Sequence, residues 1–249
     1  SNLYAALGGV YTLGGSNPNF SNFNHAATSL ANGGVIAPVT FNVRNGTYEE
    51  QVSFGAVLGA DATNTITFQS EQGDSSAVLL RYGTTTNTTN YILQLDGAEY
   101  FRFRQLGFES TSSVYSRVIY LVNGASYNEW TGNIITGPDL ASTGTNQALV
   151  YSTSTDDEYN VFRYNRFVEG SYGIYLIGVN TANTEPGTII EYNDFRGQYY
   201  MGIRLRYQDA PRVAFNTIVG NSVYCCSYYG VYTNSCENDW TYLGNTLTN

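Results

Sequence analysis

Between Asp156 and Ser235 apolar and polar residues alternate in short runs, and the pattern comes round three times. The three units read EYNVFRYNRFVEGSYGIYLIG, GTIIEYNDFRGQYYMGIRLRY and PRVAFNTIVGNSVYCCSYYGVYTNS. Each holds an alternating run ending in Asn, an apolar residue two places later, a short loop, and a second alternating run opened by Gly. The asparagines are Asn165, Asn193 and Asn216, the apolar residues Phe167, Phe195 and Ile218, and the glycines Gly173, Gly202 and Gly230. Alternation at period two puts every second side chain on one face of an extended strand, so each unit predicts two short strands and leaves no room for a helix.

The same ruler extends both ways. Upstream stand Asn133 with Ile135, and Ala148 in the glycine slot with Leu149 and Tyr151 behind it; further upstream Phe108 lacks the Asn, and downstream comes Asn245 with Leu247. The second-run positions Leu93, Ile119, Leu149, Ile174, Ile203 and Val231 recur at intervals of 25 to 30 residues. A repeat of that period is a stack of equivalent units. Strands that each pair in parallel with their counterpart one turn later leave no lateral edge to protect. The expectation is an all-β chain, a single-stranded right-handed parallel β-helix of about seven to eight rungs over residues 39–249, filled with Ile, Leu, Val and Phe. Leucine-rich repeats carry a different consensus, and propeller blades need four strands. Asn133, Asn165, Asn193, Asn216 and Asn245 are expected at a turn, in the left-handed region, stacked into an amide ladder.

Residues 1–38 read as a lead-in and a short capping helix. Phe23, Ala26, Ala27 and Leu30 share one helical face, Ser21 or Asn22 is placed to cap it, and Gly33-Gly34 to end it. Such a helix would plug the open apolar end of a solenoid, with His25, the sole histidine, on its polar side.

Composition adjusts this picture. Hydrophobic residues make up 42% and charged residues only 12%, so solubility rests on Ser, Thr, Asn and Gly. With 23 Tyr against 12 Phe, some tyrosines must face water. Net charge is −9 and all 11 basic residues are Arg, which argues against nucleic acid and anionic membrane surfaces as partners. No apolar run approaches the roughly twenty residues of a membrane span, so membrane insertion is not expected. The Asn/Thr-rich composition with little charge and the Ser-Asn start read as a processed, extracellular or cell-surface protein. Cys236 is spaced to bridge to Cys225 or Cys226, but not to both. These three thiols lack a fourth ligand, and no metal or other cofactor is expected beyond a weak Ca²⁺ possibility at Asp156-Asp157-Glu158.

Between the buried positions of the second run lies an outward row: Gln94, Tyr120, Val150, Tyr175, Arg204 and Tyr232. Parallel strands would space its members by about 4.8 Å. Tyr120, Tyr175, Arg204 and Tyr232 are the candidate binding residues, for a polysaccharide or a protein surface. The plainer reading is a tyrosine ladder that stabilises its own sheet.

The stretches NFSNFNHAATSLANGG and VTFNVRNGTYEEQVSF, with a small helix before a strand and a G-x-Y-x-E turn, resemble the opening of the pectin-lyase-like superfamily. The layout through TNTITFQSEQGDSSAVLL also resembles β-helix modules of large bacterial surface and secreted proteins exported with a C-terminal sorting domain. Within the superfamily, pectin methylesterases have the most similar opening. Gln147-Ala148-Leu149 resembles their Q-A-V strand, but Glu169-Gly170-Ser171 stands where Q-D-T belongs, Asp194-Phe195 only loosely resembles D-F-I-F-G, and the G-R-P-W arginine is missing. The two carboxylates of an esterase are not assembled from these matches, and no catalytic residue is assigned. For a lyase the resemblance offers Asp194, Asp209, Arg204 and Arg206; the plainer reading is an outward ion-pair ladder with Arg163 and Glu191. The expected function is therefore a noncatalytic surface module, adhesin-like or structural. A self-assembling fibre subunit and a polysaccharide lyase or hydrolase are the alternatives.

Overall fold

The computed structural model describes residues 5–219 and 229–248. The chain winds as a right-handed parallel β-helix with three strands per turn. Its three long sheets, here A, B and C, contain nine, eight and seven strands, every neighbouring pair parallel. One turn runs Val150–Ser152 in sheet C, Val161–Arg163 in A and Arg166–Val168 in B, and the next begins at Tyr172–Ile177 in C.

What reads in sequence as one alternating run is thus two strands folded around a corner. The residue before each Asn makes the bend: Tyr164, Tyr192 and Phe215 have φ of 55°, 55° and 56°. The expectation that the Asn itself takes the left-handed conformation is corrected. The Asn is free instead to turn its amide inward, where it serves the backbone of the turn before it. Asn165 Nδ2 donates to the Trp130 carbonyl at 2.8 Å, and its Oδ1 accepts from the Asn133 backbone N at 3.0 Å. Buried polar groups at and beside the corner are thereby hydrogen-bonded.

The interior is filled by stacked like residues. In sheet A, Phe41, Phe68, Phe103, Trp130 and Phe162 lie in register, with rings 4.5 Å apart at Phe41–Phe68 and 4.7 Å at Trp130–Phe162. Sheet B contributes Phe167 on Phe195 at 4.5 Å. Gly173 and Gly202 are needed because a Cβ on Gly173 would come 2.5 Å from the Phe195 ring and one on Gly202 would come 2.7 Å from the Gly230 carbonyl. Packing this dense leaves no volume for even one added methyl group.

The helix spans Phe23–Gly33 and buries Phe23, Ala26 and Leu30. Asn22 caps it, accepting from His25 N at 2.8 Å, and the chain ends it at Gly34, φ 67°. His25 stays on the exposed side, its Nδ1 facing the Ser21 backbone N at 3.3 Å. Leu7–Leu13 precedes the helix and already pairs with Val35–Val43 in sheet A. The helix therefore sits between two strands of one sheet, and the expected boundary at residue 38 falls inside the second of them.

Candidate functional site

Sheet C carries on its outer face a continuous row, Ser53, Gln94, Tyr120, Tyr151, Tyr175, Arg204 and Tyr232, each level with the next. Tyr120, Tyr175, Arg204 and Tyr232 stand where the spacing places them. Val150 does not: it pairs with Ile119 and Ile174 and is wholly buried, and Tyr151 takes the outward place. Likewise Leu149, one before the inward Val150, stands level with Gly173 in place of Ala148. The slip has a local cause. Ala148, Leu149 and Val150, which follow the short 3-10 helix Thr145–Gln147, are all apolar and wholly buried, so alternation does not fix which phase of this run faces inward.

The row is built of interleaved rings and guanidinium groups. Tyr151 and Tyr175 stack at 5.3 Å, and Tyr120 lies 5.6 Å from Tyr151. Arg204 sits between two rings, 4.5 Å from the Tyr232 centroid and 6.0 Å from that of Tyr175. Sequence reasoning missed Arg117, whose guanidinium lies 3.6 Å from the Tyr151 centroid and 5.5 Å from that of Tyr120. It precedes the strand Ile119–Val122, outside the alternating run, so periodicity could not mark it. Its hydrogen bonds go only to neutral groups, the Thr145 carbonyl at 3.0 Å and Asn146 Oδ1 at 3.3 Å. Burial pulls the Arg117 pKa down and pushes that of the Tyr120 hydroxyl up. The Tyr232 hydroxyl is pulled down, first by the Asn234 side chain and then by Arg204.

Among the described residues every arginine–carboxylate pair belongs to sheet A or B or their flanking turns. Arg163 and Arg212 share Glu191, Arg102 faces Glu129 at 3.3 Å, and Arg81 faces Glu49 at 2.6 Å. Arg117, Arg204 and Arg206 have no such partner. The expected outward ion-pair ladder is thus confined to Arg163, Glu191 and, unforeseen, Arg212, while Arg204 and Arg206 lie on another face.

The lyase set is not brought together. Asp194 is on sheet B, paired with Arg196 at 2.7 Å, whereas Arg204 is on sheet C and Asp209 is in the turn from C to A. Gln147 spends its amide on the Val114 carbonyl at 2.7 Å. The Asn ladder is continuous: Asn133, Asn165, Asn193, Asn216 and Asn245 are linked by Nδ2 to Oδ1 bonds of 2.9 to 3.1 Å. A second, shorter ladder at the entrance to sheet A joins Asn128 to Asn160, the Asn128 backbone N donating to Asn160 Oδ1 at 3.1 Å. The pairings of Cys236 with Cys225 or Cys226 fall outside the described residues.

The turns from sheet C to sheet A hold an unexpected inward row, Ala98, Ala125, Asp157, Glu185 and Gln208, all buried. Asp157 Oδ1 accepts from Ala125 N at 2.8 Å, and Glu185 Oε2 accepts from Gln208 Nε2 at 2.7 Å. Burial raises the pKa of both acids, that of Glu185 to about 8. Of Asp156-Asp157-Glu158, read in sequence as a weak Ca²⁺ possibility, Asp156 and Glu158 line a cavity of about 520 Å³ beside them. No group of three or more His, Cys, Asp or Glu able to hold a metal ion occurs among the described residues.

Solved structures of pectin methylesterases share the fold. A pectin methylesterase variant in complex with a hexasaccharide superposes with a TM-score of 0.59 over 88% of this chain and 68% of its own, at 11% identity. Two forms of the Aspergillus niger pectin methylesterase give 0.58 and 0.56, each over 98% of this chain and 87% and 86% of theirs, at 14% identity. No protein-family model matches the sequence, and comparison with curated proteins gives no match.

Proposed function

We propose that this chain is a noncatalytic β-helix module of an extracellular or cell-surface protein, and that the outer face of sheet C binds an acidic polysaccharide. One observation carries the reading: the guanidinium groups of this face lie on tyrosine rings with no carboxylate to neutralise them, although the chain carries an excess of acids. Rings stacked on one another offer their edges and hydroxyls rather than open faces, so the row presents chiefly O–H and N–H donors. Donors and uncompensated positive charge suit a ligand rich in acidic oxygens. A parallel row with one member per turn suits a polymer laid along the coil. The solved structures of the same fold are pectin methylesterases, one holding a hexasaccharide, and that supports a glycan over a protein partner. The noncatalytic part rests on the dispersal of Asp194, Asp209 and Gln147 over separate faces.

Affinity electrophoresis against polygalacturonate, alginate, dextran sulfate and uncharged dextran tests the reading. Retardation by the acidic polymers alone is expected, weakened by added salt and reduced in Arg204→Ala. Equal retardation by dextran, or none by any polymer, would refute it. Release of methanol or of unsaturated uronate from the same panel would replace it with an enzyme.

A further inference from the structure

We propose that the corner holding Asp157 and Glu185 is a pH-sensitive latch, which holds the loop between Ile177 and Thr188 closed in acid and neutral solution and releases it in alkali. The proposal does not depend on the ligand of sheet C. Asp157 and Glu185 occupy the same inward corner position on consecutive turns, 2% and 3% exposed. Neither forms an ion pair among the described residues. Asp157 is supplied with donors, accepting from Gly124 N and Ala125 N and from the Ser152 hydroxyl. Glu185 has one side-chain donor, Gln208, with the Asp157 backbone N–H also favouring its charged form; its Oε1 is enclosed with no hydrogen bond.

The groups facing Glu185 from the surrounding elements do not offset a negative charge. The preceding turn brings Asp156, Asp157 and Glu158. The following turn brings Gln208, whose Oε1 is held by Thr188 Oγ1 at 2.7 Å, with Tyr207 and Asp209 beside it. Cys236 lies one turn further on, and burial raises its thiol. The cation of this region, Arg206, stacks on the Tyr207 ring at 4.3 Å and bonds its hydroxyl. A proton on Glu185 is therefore the way this corner stays neutral, in keeping with its raised pKa.

When that proton leaves, the loop is the part able to yield. Its closure depends on a handful of contacts: Glu185 N to the Tyr207 carbonyl at 3.0 Å, Gly178 N to the Arg206 carbonyl at 2.9 Å, Gly187 N to the Asp209 carbonyl at 3.2 Å, Tyr159 N to the Pro186 carbonyl at 2.8 Å, Thr188 Oγ1 to Gln208 Oε1 at 2.7 Å, and the two-residue pairing of Glu185–Pro186 with Gln208–Asp209. Val179, Ala182 and Asn183 border the cavity rather than the packed core. Opening the loop would carry Glu185 to water and leave the stacked Phe162 and Ile190 in place.

Hydrogen–deuterium exchange of the whole chain between about pH 6 and about pH 10 tests this, after correction for the intrinsic hydroxide dependence of exchange. In the wild type, peptides covering 178–188 should lose about tenfold or more of their protection in a step near pH 8, while those covering 161–168 stay protected. Glu185→Gln should abolish the step, and Asp157→Asn, which removes the neighbouring charge, should move it to lower pH. A wild type without the step, a step that persists in Glu185→Gln, or simultaneous loss of protection at 161–168 would overturn the proposal. The wild-type comparison of the two peptides stands even if a variant fails to fold.

Discussion

Asn193 Nδ2 donates to Asn216 Oδ1 at 3.0 Å, and the same oxygen accepts from the Asn193 backbone N at 3.0 Å. One amide thus closes two donors of the turn before it, while Asn193 Oδ1 does the same for Asn165 at 2.9 and 3.1 Å. Asn193→Ala takes one acceptor from the Asn165 backbone N, one of two from the Asn165 amide, and one donor from the Phe162 carbonyl, in a site that water does not reach. The expected cost is about 2–4 kcal/mol, read as a lower urea midpoint. Asn245→Ala should cost less than half as much, since the ladder is only part-buried there. Equal losses at the two sites would mean that burial does not set the value of the ladder.

The G-x-Y-x-E turn acquires a physical role from Glu50. Its Oε1 accepts from Phe23 N at 3.1 Å and its Oε2 from Asn24 N at 3.0 Å, so a carboxylate from the coil sits on the N-terminus of the capping helix. There it satisfies orphan N–H groups and opposes the helix dipole. Glu50→Ala should lower stability by about 1–2 kcal/mol and weaken amide protection within Phe23–Gly33 before that of the sheets. Uniform loss of protection along the chain would show that the cap is not local.

Most of the architecture was legible because stacking repeats a demand at every turn. The same inward position must be apolar each time, so Ile174, Ile203 and Val231 announce their row, and the amides of Asn165, Asn193 and Asn216 announce the corner. What was hidden lacks repetition. The bend between sheets A and B is made by Tyr164, Tyr192 and Phe215 in the left-handed region, a conformation that aromatic residues do not advertise. Ala148, Leu149 and Val150 are consecutive apolar residues, all buried, so alternation reads equally well there in either phase. Arg117 and the inward acids Asp157 and Glu185 lie in turns, where side-chain direction depends on local backbone rather than period. The outward tyrosines of sheet C were therefore found and their arginine partner missed.

The Tyr127 and Tyr159 rings stack at 4.8 Å, and at the next turn the position is Gly187, φ 76°. A Cβ there would come 2.2 Å from Tyr159 Cδ1. Gly187→Ala should destabilise the chain by roughly 2–4 kcal/mol, part from the left-handed backbone and part from the displaced ring. The second part should vanish in a Tyr159→Ala background, giving a coupling of about 1 kcal/mol or more in a double-mutant cycle of urea midpoints. Additive losses would show that the ring moves aside freely.

Glu185 makes the stability of the whole coil depend on pH with a definite sign. Its folded pKa of about 8 lies above the ordinary value of 4.5, so between those limits the folded chain holds a proton that the unfolded chain has lost. The stability this proton represents is complete below pH 4.5 and is lost as the pH rises through about 8. The raised pKa of Asp157 acts in the same direction. Each such proton contributes a slope of at most about 1.4 kcal/mol per pH unit. The urea midpoint should therefore fall from about pH 5.5 through about pH 7 to about pH 8.5. Glu185→Gln replaces the neutral acid by a neutral amide of the same shape, whose oxygen can still accept from Gln208. Its midpoint should match that of the wild type at about pH 4, exceed it by a growing margin from about pH 5.5 to about pH 8.5, and vary less over that range, whereas parallel curves for the two proteins would show that Glu185 is ionised throughout.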